Sequence, residues 1–472
     1  MIKKYSIKEL LNNSDFFLEK KVLVEGWIRF FRNSIFIALN DGSTIQNIQI
    51  VLSKNIDKKL IKKITIGTSI KVIGIIKKSI GKKQSIEIKS LYISIYGEVD
   101  IENFQKSILQ PKKHSLEKLR KQTHLRFRTS IFSSIIRIRH HIAFSIHKYF
   151  HEHGFFYINT PIITTLNAEG AGNMFQVTTM DLKNIPCIKK GDIIDYKKDF
   201  FQCKTYLSVS GQLEAETASL SLGKVYTFGP AFRAENSNTS RHLSEFWMIE
   251  PEIAFYHLEE NMNLAENFLK FIIRYIIENC VEDLYFLKEN IKKWNQEDNF
   301  SILDRLELIL KFPFQRISYT EAIKILEKKN KKFFNPIIWG MDLQSEHEQY
   351  LVNEHFQHPV IVFDYPSCIK AFYMRINNDG KTVRAMDILF PKIGEIIGGS
   401  QREERYDLLL KRMKDTKIDD RKLWWYLDTR RFGSVPHSGF GLGFDRLVQF
   451  ITGMKNIRDV IPFPRTPNNA EF

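Results

Sequence analysis

What the sequence is short of narrows it first. Only four cysteines occur in 472 residues, Cys187, Cys203, Cys280 and Cys368, scattered without a CxxC pair or a histidine at ligand spacing. No zinc site and no disulfide framework is therefore expected, and a reducing cytoplasm suits the chain. No uninterrupted apolar run approaches the roughly 18 to 20 residues that span a bilayer, so the expectation is a soluble protein with no membrane partner. The N-terminal stretch carries Glu9 and Asp15 and lacks an apolar core or a small-residue cleavage site, so no targeting signal is read in it. Internal repeats and low-complexity tracts are missing as well. Acids are the scarcer charge, 54 against 70 basic residues, for a net charge of +16. That excess favours a polyanionic partner through counterion release. A general enrichment in Lys, Ile and Asn produces the same excess, so charge alone supports no more than a bias towards acidic partners.

What is present is a large core's worth of material. With 43% hydrophobic and 13% aromatic residues the chain can fill two or three domains. From about Lys20 to Gly97, five short runs rich in β-branched residues (VLVEGWIRF, SIFIALNDGS, IQNIQIVL, TSIKVIGII, QSIEIKSLYISI) alternate apolar and polar positions, with turn signals at Asp41-Gly42 and Gly81-Lys82. Five strands in that length predict a small closed barrel, either the OB-fold that binds oligonucleotides or another small barrel, with a short helix over DKKLIKKI. Residues 101–128, polar, basic and interrupted by Pro111, read as a linker between a domain at 1–100 and one at 129–472. Beyond it Ile131, Ile135, Ile138, Ile142 and Ile146 recur at helical spacing as far as Gly154. The remainder mixes strand-like runs (KVYTFGPAF, FWMIEPEIAF, PVIVFDYP, AFYMRINN) with helical stretches, clearest from Leu258 to Glu289. The strands lack a regular βαβ rhythm, so the fold class predicted is α+β with an antiparallel sheet flanked by helices.

Two segments carry chemistry. Gly439-Phe440-Gly441-Leu442-Gly443-Phe444-Asp445-Arg446 has neither dinucleotide-binding nor P-loop spacing. Its glycines permit close backbone approach, and the helical pattern after them sets Arg446 near a helix start, where an anion is favoured. The second runs from Phe232 to Phe246: a strand ending at Arg233, a polar loop with Arg241 and His242, and a return strand through Glu245, a hairpin suited to a triphosphate. Taken singly, each of these charges would pass for a solvated loop residue.

Together they resemble a family. FRAE with RHLSEF resembles motif 2 of the class II aminoacyl-tRNA synthetases (about 226–252), GFGLGFDR resembles motif 3 (about 437–450), and the long helix leading to NTPIIT resembles motif 1 (about 131–163), with Pro161 as its proline. The order is right, and a preceding OB-like barrel is similar to subclass IIb, the aspartyl, asparaginyl and lysyl branches. The resemblance implies ATP and Mg2+, no organic cofactor, and named roles. Arg233 would contact the α-phosphate and Arg446 the γ-phosphate, Phe246 would stack on adenine, and Glu235 would accept from its amino group, with Arg241 and His242 beside the triphosphate. Asp387 and Glu395 resemble the family's metal-binding acids, hard oxygen ligands of the kind magnesium needs.

The same resemblance points to the amino acid. In SVSGQLEAE, Ser210 and Gln212 would bind the α-amino group with Glu169, and Arg402 would hold the side-chain carbonyl. Aspartyl enzymes carry lysine then glutamine where this chain has Ala215 and Glu216. A carboxylate at Glu216 accepts from an asparagine amide and repels aspartate, by about 4 kcal/mol at about 4 Å and an effective dielectric of about 20. The run from Phe232 to Glu252 resembles the asparaginyl branch, implying L-asparagine and tRNA(Asn) as substrates; an aspartyl enzyme, a relaxed form charging both tRNAs, an ammonia-dependent asparagine synthetase and a non-catalytic RNA-binding paralogue are the alternatives. In this subclass the barrel reads the anticodon, so the resemblance implies Trp27, Arg29, Phe36 and Gln49 as contacts, and the hairpin between Trp27 and Asp41 is several residues shorter than is usual in the family. A homodimer with the long helix at its interface is implied too.

Overall fold

The computed structural model describes residues 2–81, 84–110, 112–166, 173–188, 193–294, 301–329 and 333–472. Glu169, Pro111 and Lys82, each singled out above, lie outside the described residues. The chain divides into two compact units, one of residues 1–137, 282–290 and 472, the other of 138–281 and 291–471.

In the first unit β1 (Lys21–Arg32), β2 (Phe36–Asn40), β3 (Ile48–Val51), β4 (Ser69–Lys78) and β5 (Ile86–Gly97) close a barrel in the order β1-β2-β3-β5-β4. The alternation read from the sequence is the reason: Val22, Val24, Ile28, Ile37, Leu39, Ile48, Ile50, Ile70 and Val72 point inward and are buried, while their neighbours face out. Each such side chain contributes roughly 1.5 to 3 kcal/mol of burial. The expected helix, α1 (Lys58–Lys63), lies between β3 and β4, capped by Asp57 accepting from the Lys59 amide.

The second unit is built on an eight-stranded sheet of β6 (Phe156–Tyr157), β7 (Lys224–Phe232), β8 (Glu245–Ala254), β9 (Gln315–Ser318), β10 (Val360–Pro366), β11 (Thr382–Phe390), β12 (Gly394–Gln401) and β13 (His437–Gly443), ordered β9-β10-β11-β12-β13-β8-β7-β6. Its six inner strands pair antiparallel, as expected, but β9 and β6 join the two edges in parallel. The long helix is α2 (Ser130–Glu152), and all five isoleucines of its stripe are at most 7% exposed. The stripe therefore packs into the core. Helix α3 (Gln212–Leu222) packs on β7 and β8. The stretch read as one helix to Glu289 is two, α4 (Leu258–Asn279) and α5 (Val281–Trp294), because Cys280 leaves the helical region at φ −127°. AFYMRINN is no strand either; it makes only isolated bridges, Met374 to Arg402 and Ile376 to Val383. Two further helices complete the site: α6 (Trp424–Arg431), and α7 (Phe444–Thr452) directly after β13.

Candidate active site

The pleat of β13 explains its glycines. Phe440 and Leu442 point into the core, so Gly439, Gly441 and Gly443 share the other face and leave it bare. Met248 and Glu252 of β8 pair with Gly443 and Gly439 across that bare face. A Cβ on Gly439 would stand 2.2 Å from Glu252 Oε1, so only glycine leaves room for that carboxylate.

The β7–β8 hairpin and the β13–α7 turn enclose a cavity of about 180 Å³. Arg233, Glu235, Arg241, His242, Phe246, Glu395 and Arg446, all seven residues expected around the nucleotide, line it. Phe232 pairs with Glu245 at the hairpin mouth, which brings the Arg233 guanidinium 5.5 Å from the Phe246 ring. Arg446 is the third residue of α7 and donates from Nη1 to the Glu395 carbonyl at 2.9 Å. Arg241 is braced from across the cavity by Ser345 Oγ at 2.9 Å and the Lys392 carbonyl at 3.3 Å. The Nδ1 of His242 meets Ser237 Oγ and Thr239 Oγ1; burial, with Arg446 close by, lowers its pKa, so this ring is neutral at physiological pH. Asp445 is buried behind the cavity, accepting from Arg139 of α2 at 2.5 Å and from the Trp247 amide at 2.9 Å, which ties the long helix to β8 and α7.

Asp387 on β11 and Glu395 on β12 lean over the same point: a Cβ on Gly398 would lie 3.1 Å from Glu395 Oε1 and 3.5 Å from Asp387 Oδ1. Burial and then the nearby Asp387 push the Glu395 carboxyl up. Glu348, which no motif flagged, accepts from the Glu395 amide at 3.3 Å. Burial, then Glu395, push it up to about 7. Lys370 answers this negative charge with an ion pair to Asp387 Oδ2 at 2.7 Å. Among the described residues no group of three or more His, Cys, Asp or Glu side chains forms a complete metal cage. Two hard carboxylates beside a polyphosphate-sized cavity do fit magnesium, which keeps part of its shell for water and phosphate.

The residues expected to hold the amino acid form a separate, drier cluster. Glu216 on α3 is fully buried, which excludes the reading of a surface helix acid. Its Oε1 accepts from the Gln212 side-chain amide at 3.0 Å; its Oε2 accepts from Tyr426 at 2.6 Å and Arg430 Nη2 at 2.7 Å, both on α6. Burial alone would raise this carboxyl, but Arg430, His437 and Arg402 outweigh it and hold it below the ordinary carboxylate range. Arg402, 2% exposed, is less open than a residue awaiting a ligand: Nε and Nη2 fork onto Glu252 and Nη1 donates to Ser400 Oγ at 2.8 Å, while Glu216 Oε1 is 3.8 Å from its Nε. Burial pushes the Glu252 carboxyl up, against the pull of the Arg402 fork. Ser210 donates to Glu250 Oε1, and the Gly211 amide and Thr227 hydroxyl donate to its Oε2 at 3.0 and 3.1 Å. Glu250, Glu252, Tyr426, Arg430 and His437 were not picked out from the sequence, since none lies at a readable spacing from its partners.

On the barrel, β1 carries a bulge between Ile28 and Phe30. Trp27 then pairs with Asn40, and Phe30 with Ala38, which pairs in turn with Gln49, so the exposed Phe30 shares an outer face with Trp27, Phe36 and Gln49. Arg29 sits at the bulge itself, and its guanidinium donates to the Arg128 carbonyl and, at 3.4 Å, to Asn40 Oδ1. Gln49 donates to Glu87 at 2.9 Å.

With that geometry in hand, the chain can be set beside known proteins. The family described as tRNA synthetases class II (D, K and N) matches residues 115–467, and an OB-fold nucleic acid binding domain matches 22–95. The asparagine–tRNA ligase of Cytophaga hutchinsonii is 54% identical over 475 residues, and that of Azobacteroides pseudotrichonymphae 55%, each alignment covering 100% of both chains. The crystal structure of asparaginyl-tRNA synthetase from Pyrococcus horikoshii complexed with asparaginyl-adenylate superposes with a TM-score of 0.84 at 32% identity, covering 100% of both chains.

Proposed function

The chain belongs to the class II tRNA synthetases of the D, K and N group, and from that premise we propose that it activates L-asparagine with ATP and transfers the asparaginyl group to tRNA(Asn). The observation that carries the reading is the convergence of seven nucleotide-site residues, separated by up to 213 positions, on one cavity. Asparagine's carboxylate oxygen attacks the α-phosphorus in line, the bond to pyrophosphate breaks, and the 3′-terminal ribose hydroxyl of the tRNA then takes the acyl group, releasing AMP. Arg233 stabilises charge on the α-phosphate with its fixed fork of donors and Arg446 holds the γ-phosphate. Phe246 stacks on adenine and Glu235 accepts from the adenine amine. Positioning and electrostatics supply the acceleration, so no covalent residue is assigned. Asp387 and Glu395 would hold Mg2+, which when bound neutralises phosphate charge.

Selection of asparagine rests on Glu216 and Arg402. The carboxamide of Gln212 already donates to Glu216 Oε1, the same chemistry a substrate amide NH2 would use, and a second buried carboxylate at that point would meet only repulsion. Ser210 and Gln212 serve the α-amino group, joined by Glu250, which gathers Ser210, Gly211 and Thr227. We assign residues 1–100 to anticodon binding, 101–128 to a connector and 129–472 to catalysis. Trp27, Phe36 and Gln49 would contact the anticodon, with Arg29 contributing through its backbone bulge. A cytoplasmic homodimer follows the family; the support for a dimer here is exposed aromatic side chains, Phe156 and Tyr157 on the edge strand β6 and Phe144 on α2. Light scattering at micromolar concentration tests the dimer. Exchange of labelled pyrophosphate into ATP tests the activity: dependence on asparagine but neither aspartate nor lysine is expected, and silence with all three would overturn the reading.

A further inference from the structure

The Glu216 carboxylate is held from behind by groups far from any motif. Arg430 is fully buried, and its Nη2 sits 2.7 Å from Glu216 Oε2, 2.8 Å from Tyr426 Oη and 3.2 Å from His437 Nε2. His437 meets this cluster through both ring nitrogens: Nδ1 lies 2.8 Å from the Val435 carbonyl and Nε2 lies 3.2 Å from Glu216 Oε2. Arg430 Nη2 therefore touches both the carboxylate and the imidazole that flanks it. The Arg430 Nε donates to the Glu403 carbonyl at 3.1 Å and Nη1 to Thr429 Oγ1 at 2.8 Å, which leaves the guanidinium no other orientation.

The consequence is an asymmetric carboxylate. Oε2 receives Tyr426 and Arg430 from α6, whereas Oε1 receives only Gln212, from its own helix, and has a lone pair to spare. Resting on the asparagine reading above, we propose that Arg430, seated by His437 and Tyr426, is a positioning residue for amino-acid selection: it anchors Glu216 Oε2 so that ionised Oε1 is presented to the substrate's side-chain amide. Arg402 cannot do this in its place, because its fork is committed to Glu252.

The test is pyrophosphate exchange by Arg430→Met, Arg430→Lys and His437→Asn beside the wild type, varying asparagine, aspartate and ATP separately. For Arg430→Met a rise of about tenfold or more in the KM for asparagine, a fallen preference over aspartate and an ATP KM within about twofold are expected, since the charge-assisted bond that anchors Oε2 of the selecting carboxylate is lost. Arg430→Lys should recover part of the loss, because a single ammonium reaches Oε2 without the fork. If Arg430→Met does not fold, His437→Asn carries the test with a smaller rise in the same direction. A folded Arg430→Met or His437→Asn with wild-type KM and preference for asparagine would overturn the proposal, as would equal rises in the KM values for ATP and asparagine, the mark of general disruption. Wild-type protein that fails to exchange with asparagine would instead overturn the function reading, which separates the two failures.

Discussion

Glu216 shows how much a single side chain is asked to do. Replacing it with glutamine keeps the size and one acceptor oxygen but removes the charge facing two buried arginines, Arg430 and Arg402. Two effects should appear together. Preference for asparagine over aspartate in pyrophosphate exchange should fall by about two to three orders of magnitude, following the roughly 4 kcal/mol of lost repulsion. Denaturant unfolding should show a loss of about 3 kcal/mol, the usual cost of stranding a buried cation. Gly439→Ala acts on the same cluster from the other side: its new methyl meets Glu252 Oε1 at 2.2 Å and pushes the carboxylate off Arg402. A loss of about 1 to 3 kcal/mol on unfolding is expected, together with weaker asparagine-dependent exchange. Of these residues the sequence revealed Glu216 and Arg402, through resemblance. It did not reveal Glu252, Arg430 or His437, which meet their partners across 150, 214 and 221 positions respectively. No local spacing encodes such pairs.

Elements were read best where one period ran long. The isoleucines of α2 recur over several turns, and the helix spans Ser130–Glu152 as their spacing requires. Ile142 is fully buried on it, so Ile142→Ala should cost about 2 to 5 kcal/mol in denaturant unfolding. Short segments were harder, since their state depends on what lies beside them. AFYMRINN has strand-like composition but finds only single bridging partners. The stretch around Asp199, which matched no motif, is tied by that carboxylate accepting from the Thr179 and Phe200 amides and the Thr178 and Thr179 hydroxyls. These bonds, the Thr179 amide foremost, lower its pKa from 3.8 to about 2. A lowered carboxylate contributes stability that is complete above its unfolded value and is lost as pH falls through the folded one. Amide exchange at Thr179 and Phe200 should therefore accelerate as pH drops from about 4 towards about 2, beyond the intrinsic change in exchange rate; protection independent of pH across that window would contradict the assignment.

At the scale of the molecule, the division of work proposed between barrel and catalytic domain should separate in experiment. The barrel's outer face carries Trp27, Phe30 and Phe36, and stacking of a splayed base is worth about 1 to 3 kcal/mol. Phe30→Ala and Phe36→Ala should each weaken tRNA binding and raise the KM for tRNA by that amount, while pyrophosphate exchange, which needs no tRNA, stays at the wild-type rate. Filter binding alongside the exchange assay checks both halves. An unchanged tRNA affinity for Phe30→Ala would remove it from the face that the β1 bulge gives it.

Taken by itself, the sequence determined the barrel, the long helix, the two motif-bearing turns and the family, because those depend on periodicity and on residues close together along the chain. Through resemblance it also named the side chains expected around the nucleotide, most of them on a hairpin and a strand-to-helix turn, which are local objects, with Glu395 on β12 apart from both. Only the tertiary structure decided that the isoleucine stripe is core, that the β1 bulge brings Phe30 onto the outer face, and that Glu216 is a buried, anchored anion. Burial and charge pairing are properties of neighbours brought together by the whole fold, and a single helix face carries no record of which arginine will close over it.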